Sequence, residues 1–172
     1  MLDTLTNDRG DQVRAAVKRI ALTQLQAGGS AAVALNAIAR ELGVSGPALY
    51  RYFRNRDALL TALVVDAYDD LAAALEPSTD LWAAARAYRA WALAQPHRYR
   101  LLFTAPWPGY DPHQPALVAA AQGSMDVLLR FVDAERAVTL WSRVHGHVSL
   151  EIEGNFASMG LDPERLFAHV TA

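Results

Sequence analysis

Apolar residues recur every three or four positions along almost the whole chain, a spacing that places one stripe on an α-helix. Val13, Ala16, Val17, Ile20, Ala21 and Leu25 form the first such stripe. Leu60, Val64, Ala67, Leu71 and Leu75 form another. No stretch shows convincing strand alternation, so the fold class is all-α, with about nine helices. The expected spans are 9–27, 35–42, 46–53, 56–76, 80–94, 96–104, 113–131, 134–159 and 163–170. Gly28 and Gly29 stop the first because glycine tolerates the left-handed cap conformation. Asn55 is placed to cap the fourth, and Pro47 sits in a first turn, where no amide hydrogen is needed. The proline density from Ala105 to Pro115 excludes a helix and makes that segment a loop.

The 172 residues are enough for one domain, or two small ones sharing a core. With 52% apolar and 20% charged residues, the chain can bury a large core and is not of the disordered class. The absence of cysteine excludes disulfides, thiolate metal sites and cysteine nucleophiles. No apolar run approaches the roughly 18 residues of a membrane span. Met1 to Arg9 carry acids and no apolar block, so no secretory signal is expected and the setting is cytoplasmic.

A net charge of −2 conceals a strong asymmetry. Residues 9–56 hold eight basic residues against two acids, a net of +6. Residues 57–172 hold eight arginines against fourteen acids, a net of −6. A basic head on an acidic body points the head toward a polyanion.

Within that head, Leu35 to Phe53 have the pattern of a helix-turn-helix. Two helices that cross steeply need a small residue at the crossing, supplied by Ala39, and a turn with positive φ, supplied by Gly43. Ile38, Leu42, Val44, Leu49 and Phe53 are the expected buried positions. Ser45, Gly46, Pro47, Ala48, Tyr50, Arg51 and Tyr52 then remain for a DNA groove. The small residues allow close backbone approach, the tyrosine hydroxyls reach phosphates, and Arg51 reaches a phosphate or a guanine edge. Any helix–glycine–helix corner shows similar spacing; the coincident charge is what favours DNA.

These residues resemble the DNA-binding domain of tetracycline-repressor (TetR) family regulators. The resemblance rests on Ile38-Ala39, Gly43-Val44-Ser45, Leu49-Tyr50-Arg51-Tyr52-Phe53, and the run Arg54-Asn55-Arg56-Asp57-Ala58-Leu59-Leu60. It covers about a third of the chain. It implies a recognition helix that follows the Gly43-Val44-Ser45 turn, and Arg56 just beyond it is expected to contact a phosphate. The family usually caps the preceding helix with Ser or Thr, but Ala34 stands there, and Ala cannot accept the cap hydrogen bond. Asn36 or Arg40 must then supply the missing backbone contact.

The remainder resembles a C-terminal class of that family with a Trp-His-Gly signature, here Trp141 and His145-Gly146. Tyr88 to Ala92 and Pro96 to Phe103 share the likeness. The resemblance implies a small-molecule site and a homodimer formed through the last two long helices. The residues agree: Trp82, Tyr88, Trp91, Tyr99, Phe103, Trp107, Tyr110, Trp141 and Phe156 make the body rich in aromatics, as apolar pockets are. The expected lining is Tyr88, Trp91, Phe103, Met125, Trp141, His145 and Asn155, although aromatics in helical proteins commonly fill solid cores. Gly146 and Gly154, eight residues apart in one expected helix, would let a partner helix approach, with Leu150 at its edge. His145, His147, Glu151 and Glu153 are the one dense group of candidate ligands, but their spacing matches no metal motif, and a solvated or interface surface is expected for them. No metal, cofactor or catalytic residue is expected.

The expected organisation is therefore a DNA-binding head over 1–56, a connecting helix over 57–76, and an effector and dimerisation domain over 80–172. The function that follows is a transcriptional repressor, bound as a homodimer to a palindromic DNA operator and released by a small apolar molecule. The competing readings are an enzyme or small-molecule carrier with a merely structural helix-turn-helix, and an architectural DNA binder without effector.

Overall fold

A computed structural model describes residues 2–104 and 107–170. Among these residues it is all-α, with ten α-helices, one 3₁₀ turn and no strand. No single helix among them is long and apolar enough to cross a membrane. The backbone forms two compact units. The first comprises residues 1–65 with 100–111, the second residues 66–99 with 112–172. The grouping of 100–111 with the N-terminal residues is invisible in a linear reading, which assigns that segment to the body.

The first unit contains α1 (Leu2–Gly28), a 3₁₀ turn (Ser30–Ala32), α2 (Leu35–Glu41), α3 (Gly46–Tyr50) and the start of α4 (Arg56–Leu75). The stripe of α1 is its buried face: Val17, Ile20, Ala21 and Leu25 pack in a core with Ile38, Leu49, Phe53, Leu59 and Leu60. Helix α1 begins seven residues before the periodicity suggests. Gly28 closes the corner, because a Cβ there would meet Ala32 Cβ at 2.9 Å. Gly43 has φ of 67°, the left-handed turn that its position requires. Helix α3 is shorter than expected: beyond Tyr50 the chain turns, and the Tyr52 and Phe53 amides both donate to the Leu49 carbonyl. Val44 departs from expectation, with 38% of its surface exposed. In the 105–115 loop, Ala105 and Pro106 lie outside the described residues. Trp107 is buried and packs edge-on against Tyr110, with ring centroids 4.8 Å apart.

The second unit contains the rest of α4, α5 (Leu81–Ala94), the start of α6 (Pro96–Phe103), α7 (Pro115–Leu129), α8 (Ala134–Ile152), α9 (Asn155–Ser158) and α10 (Pro163–Val170). Helix α8 is central and packs against α5, α7 and α10. Ala84, Leu128 and Ala137 meet at a tight core, flanked by Leu81, Met125, Val132 and Trp141. Asp80 and Asp133 start α5 and α8 by accepting the Ala83 and Arg136 amides at 2.7 and 2.9 Å.

One expected helix is broken. Residues 134–159 do not form a single rod: α8 ends at Ile152, and Gly154 takes a left-handed conformation with φ of 75°. Gly154 therefore terminates α8 and starts α9, and it shares no helical face with Gly146. Gly146 is exposed within α8, and a Cβ there would touch nothing within 4 Å.

Candidate nucleic-acid interface and polar centre

Helix α3 is short, so its geometry depends on what holds its ends. Ser45 caps it, its hydroxyl accepting from the Ala48 amide at 3.4 Å, and Pro47 occupies the first turn. Ser45 thus serves the helix as well as facing outward. At the other end, Arg14 of α1 donates to the Tyr52 carbonyl at 2.9 Å. Its guanidinium also lies over the rings of Tyr52 and Phe53, 5.8 and 5.6 Å from their centroids. Leu49 is buried beneath. The outward positions are Asn36, Arg40, Ser45, Pro47, Tyr50 and Arg51, all exposed, with Gly46, Ala48 and Tyr52 half-buried beside them. The structure therefore brings the expected α2 and α3 residues onto one small outward surface. Asn36 and Gly46 adjoin directly, since a Cβ on Gly46 would lie 3.9 Å from Asn36 Oδ1.

Arg56, expected to contact a phosphate, also has partners within its own unit. Its Nε donates to the Val33 carbonyl at 3.0 Å and its Nη2 to the Ser30 carbonyl. The guanidinium is turned onto backbone oxygens at the corner between α1 and α2, where it ties α4 to that corner. Ala34 lacks a side-chain cap, as its residue type dictates; its amide donates to Gln24 Oε1 at 2.9 Å instead. Arg14 and Gln24 are positioning residues that sequence reasoning missed, and Arg56 has a positioning role that it did not foresee.

In the second unit, a polar centre lies inside the aromatic body. The hydroxyls of Tyr88 and Tyr99 each lie 3.0 Å from His145 Nδ1, and Tyr99 also donates to the His145 carbonyl at 3.2 Å. Trp141 stacks on the same imidazole with centroids 5.2 Å apart. Burial raises the Tyr88 hydroxyl far above its ordinary range, pushes Tyr99 up to about 12, and lowers His145. All three groups are thus neutral near pH 7. Met125 belongs to this neighbourhood through the core it shares with Trp141. Tyr99 is a member that sequence reasoning counted only among the aromatics.

Trp91 and Asn155, also expected in the lining, have hydrogen-bond partners other than His145. Trp91 donates its indole N–H to Asp70 Oδ2 at 2.9 Å. That oxygen also accepts from Arg98 Nη1 at 2.8 Å and Gln95 Nε2 at 3.3 Å, which joins α4, α5 and α6. Phe103 belongs to the first unit. Asn155 reaches only the nearby Leu150 carbonyl, at 3.5 Å.

A second polar group, only partly buried, ties down α10. Arg89 grips Glu151 through two bonds of 2.7 Å and reaches Glu164 at 2.5 Å. His147, expected on a solvated or interface surface, is buried between the rings of Phe156 and Phe167. Its Nε2 lies 3.6 Å from Glu151 Oε2. No group of three or more metal-ligating side chains forms among the described residues.

A capped, outward recognition helix in a basic helix-turn-helix, followed by an all-helical unit with an internal polar centre, is the arrangement of a DNA-binding transcriptional regulator. Comparison with known proteins gives the family. Residues 19–63 match the bacterial regulatory proteins of the tetR family, and residues 81–172 match the tetracyclin repressor-like C-terminal domain. The chain is 34% identical to the HTH-type transcriptional regulator Rv1816 of Mycobacterium tuberculosis, over 93% of this chain and 89% of that one. A second regulator of that organism, Rv0681, is 31% identical over 78% of this chain and 67% of its own. The crystal structure of the regulatory protein SCO4313 superposes with a TM-score of 0.88 at 38% identity, covering 95% of each chain. The chain belongs to the TetR family of transcriptional regulators, and the enzyme reading falls.

Proposed function

We propose that this regulator is a repressor, bound to a palindromic operator as a homodimer and released when a small, mainly apolar molecule enters the second unit. The observation that carries the effector reading is the neutral Tyr88–Tyr99–His145 centre walled by Trp141. A centre of uncharged donors and acceptors in an apolar shell suits an uncharged ligand with one polar end. Tyr88, Met125, Trp141 and His145 are the contacts it supports.

The homodimer reading rests on α8. Val138, Ser142, Gly146 and Leu150 recur every fourth residue and all are exposed, so one outward stripe of α8 is apolar or small. Two copies of such a stripe pack by two-fold symmetry, which also pairs two heads on a two-fold DNA site. Sedimentation of the wild type at micromolar concentration tests assembly: a dimer is expected, and a stable monomer refutes it. The effector reading is tested by titrating uncharged apolar compounds into the protein–DNA complex. Release by a compound that no longer acts on a His145→Leu variant supports it. Equal release from both proteins refutes the assigned centre.

A further inference from the structure

Between α1 and α3 lies an open cleft of about 370 Å³. Arg9 and Val13 stand on the α1 wall; Val44, Ala48, Arg51 and Tyr52 stand on the other. Arg9 and Val13 are four residues apart on a helix and so share one face. No carboxylate lines the cleft, and the two guanidinium-bearing residues stand on its opposite walls.

Three features give this cleft an occupant. Val44, which its position in the turn pattern would bury, is 38% exposed and forms part of the wall. Arg14, the next arginine along α1, is held by the Tyr52 carbonyl and the rings of Tyr52 and Phe53. That contact fixes the spacing of the two walls and leaves Arg9 as the α1 arginine facing the cleft. Finally, Arg51 and Ala48 belong both to the cleft and to the outward face of α3, so DNA lying on α3 also passes its mouth.

We propose that the cleft seats one sugar–phosphate strand of the DNA that α3 reads, with Arg9 and Arg51 flanking a phosphate. Val13, Val44 and Ala48 meet the apolar faces of the deoxyriboses. The DNA-binding surface thus extends from the helix-turn-helix onto α1, and Arg9 is a DNA contact that the recognition motif does not contain. Arg51 is assigned to the backbone and not to a guanine edge. Both contacts are independent of base sequence.

The test uses the full chain, a duplex selected by the wild type from a random library, and a scrambled duplex of equal length. Affinities are measured across a salt series for Arg9→Ala, Arg9→Lys and Val44→Glu, with helicity and melting temperature checked for each. Loss of one phosphate contact lowers the slope of log K against log salt by about 0.9. Arg9→Ala is expected to do this and to weaken both duplexes equally, by about tenfold at low salt. Arg9→Lys retains most of the binding, and Val44→Glu, which puts a carboxylate in the cleft, weakens both duplexes while remaining folded. An unchanged slope and affinity in Arg9→Ala overturns the proposal, as does a loss confined to the selected duplex. If Arg51→Ala still weakens binding in that case, DNA contact by α3 stands while the cleft assignment fails. A wild type that selects no duplex overturns both.

Discussion

Arg14 and Arg56 show how much of a short recognition helix depends on residues outside it. Both are basic, and charge alone would place both on DNA, yet each is bound to backbone carbonyls of its own unit. For Arg56→Ala the expected outcome is therefore a loss of about 2 kcal/mol of stability, the scale of hydrogen bonds from a charged donor. Urea unfolding checks the magnitude, and the salt dependence of DNA binding should keep its slope. A normal stability with a flatter slope would return Arg56 to the phosphate role. His147 makes a different kind of prediction. Its burial lowers its proton affinity below the ordinary histidine value of about 6.5, against the weaker pull of Glu151. Glu164, the cation of Arg89 and the Pro163 carbonyl also face it. In that acidic window the unfolded chain binds more protons than the folded one, so stability is full above the unfolded value and declines as pH falls toward the folded value. His145 is lowered in the same sense and adds to the decline. Unfolding measured at about pH 7.5 and about pH 5.5 should show a smaller difference for His147→Asn than for the wild type. Equal differences would place the titration elsewhere.

Helix starts and turns marked by a capping or turn residue are legible in the sequence, because short-range chemistry sets them. Asn55 accepts the Ala58 amide at 2.7 Å at the start of α4, Ser45 caps α3, and Gly43 supplies the positive φ of the turn. Contacts between elements are not legible in this way. Tyr99 meets His145 across 46 residues and Arg14 meets Tyr52 across 38, and neither pair carries a local signature. The Gly146 and Gly154 pair shows where periodicity misleads. Both fit an eight-residue helical spacing, but Gly154 has φ of 75° and ends α8. Gly154→Ala should then cost about 1–2 kcal/mol, the penalty of a left-handed non-glycine residue, without specifically dissociating a dimer. Gly146→Ala should do the opposite. Its new methyl meets nothing within the chain, so the helix gains up to about 1 kcal/mol, while a partner helix at that stripe would be pushed away. Melting temperature and sedimentation read at several concentrations separate the two effects. A Gly146→Ala protein that is more stable and equally dimeric would move the interface off this stripe.

At the scale of the molecule, the charge asymmetry and the helix-turn-helix pattern made DNA binding legible from the sequence alone, as the family match bears out. The site's details were less accessible. Exposed α2 and α3 residues follow from a local pattern, whereas the polar centre depends on how α5, α6 and α8 come together. Of the residues expected there, Tyr88, Met125, Trp141 and His145 form one neighbourhood, while Trp91 turns to Asp70. The outward face of α3 is expected to lie against the operator DNA, and everything else in the functional account follows from that contact. Fluorescence anisotropy with the selected duplex and the Arg51→Ala protein tests it most directly. The expected result is a loss of about 1–3 kcal/mol in binding, with the melting temperature unchanged, since Arg51 is exposed. Wild-type affinity in that folded variant would contradict the claim.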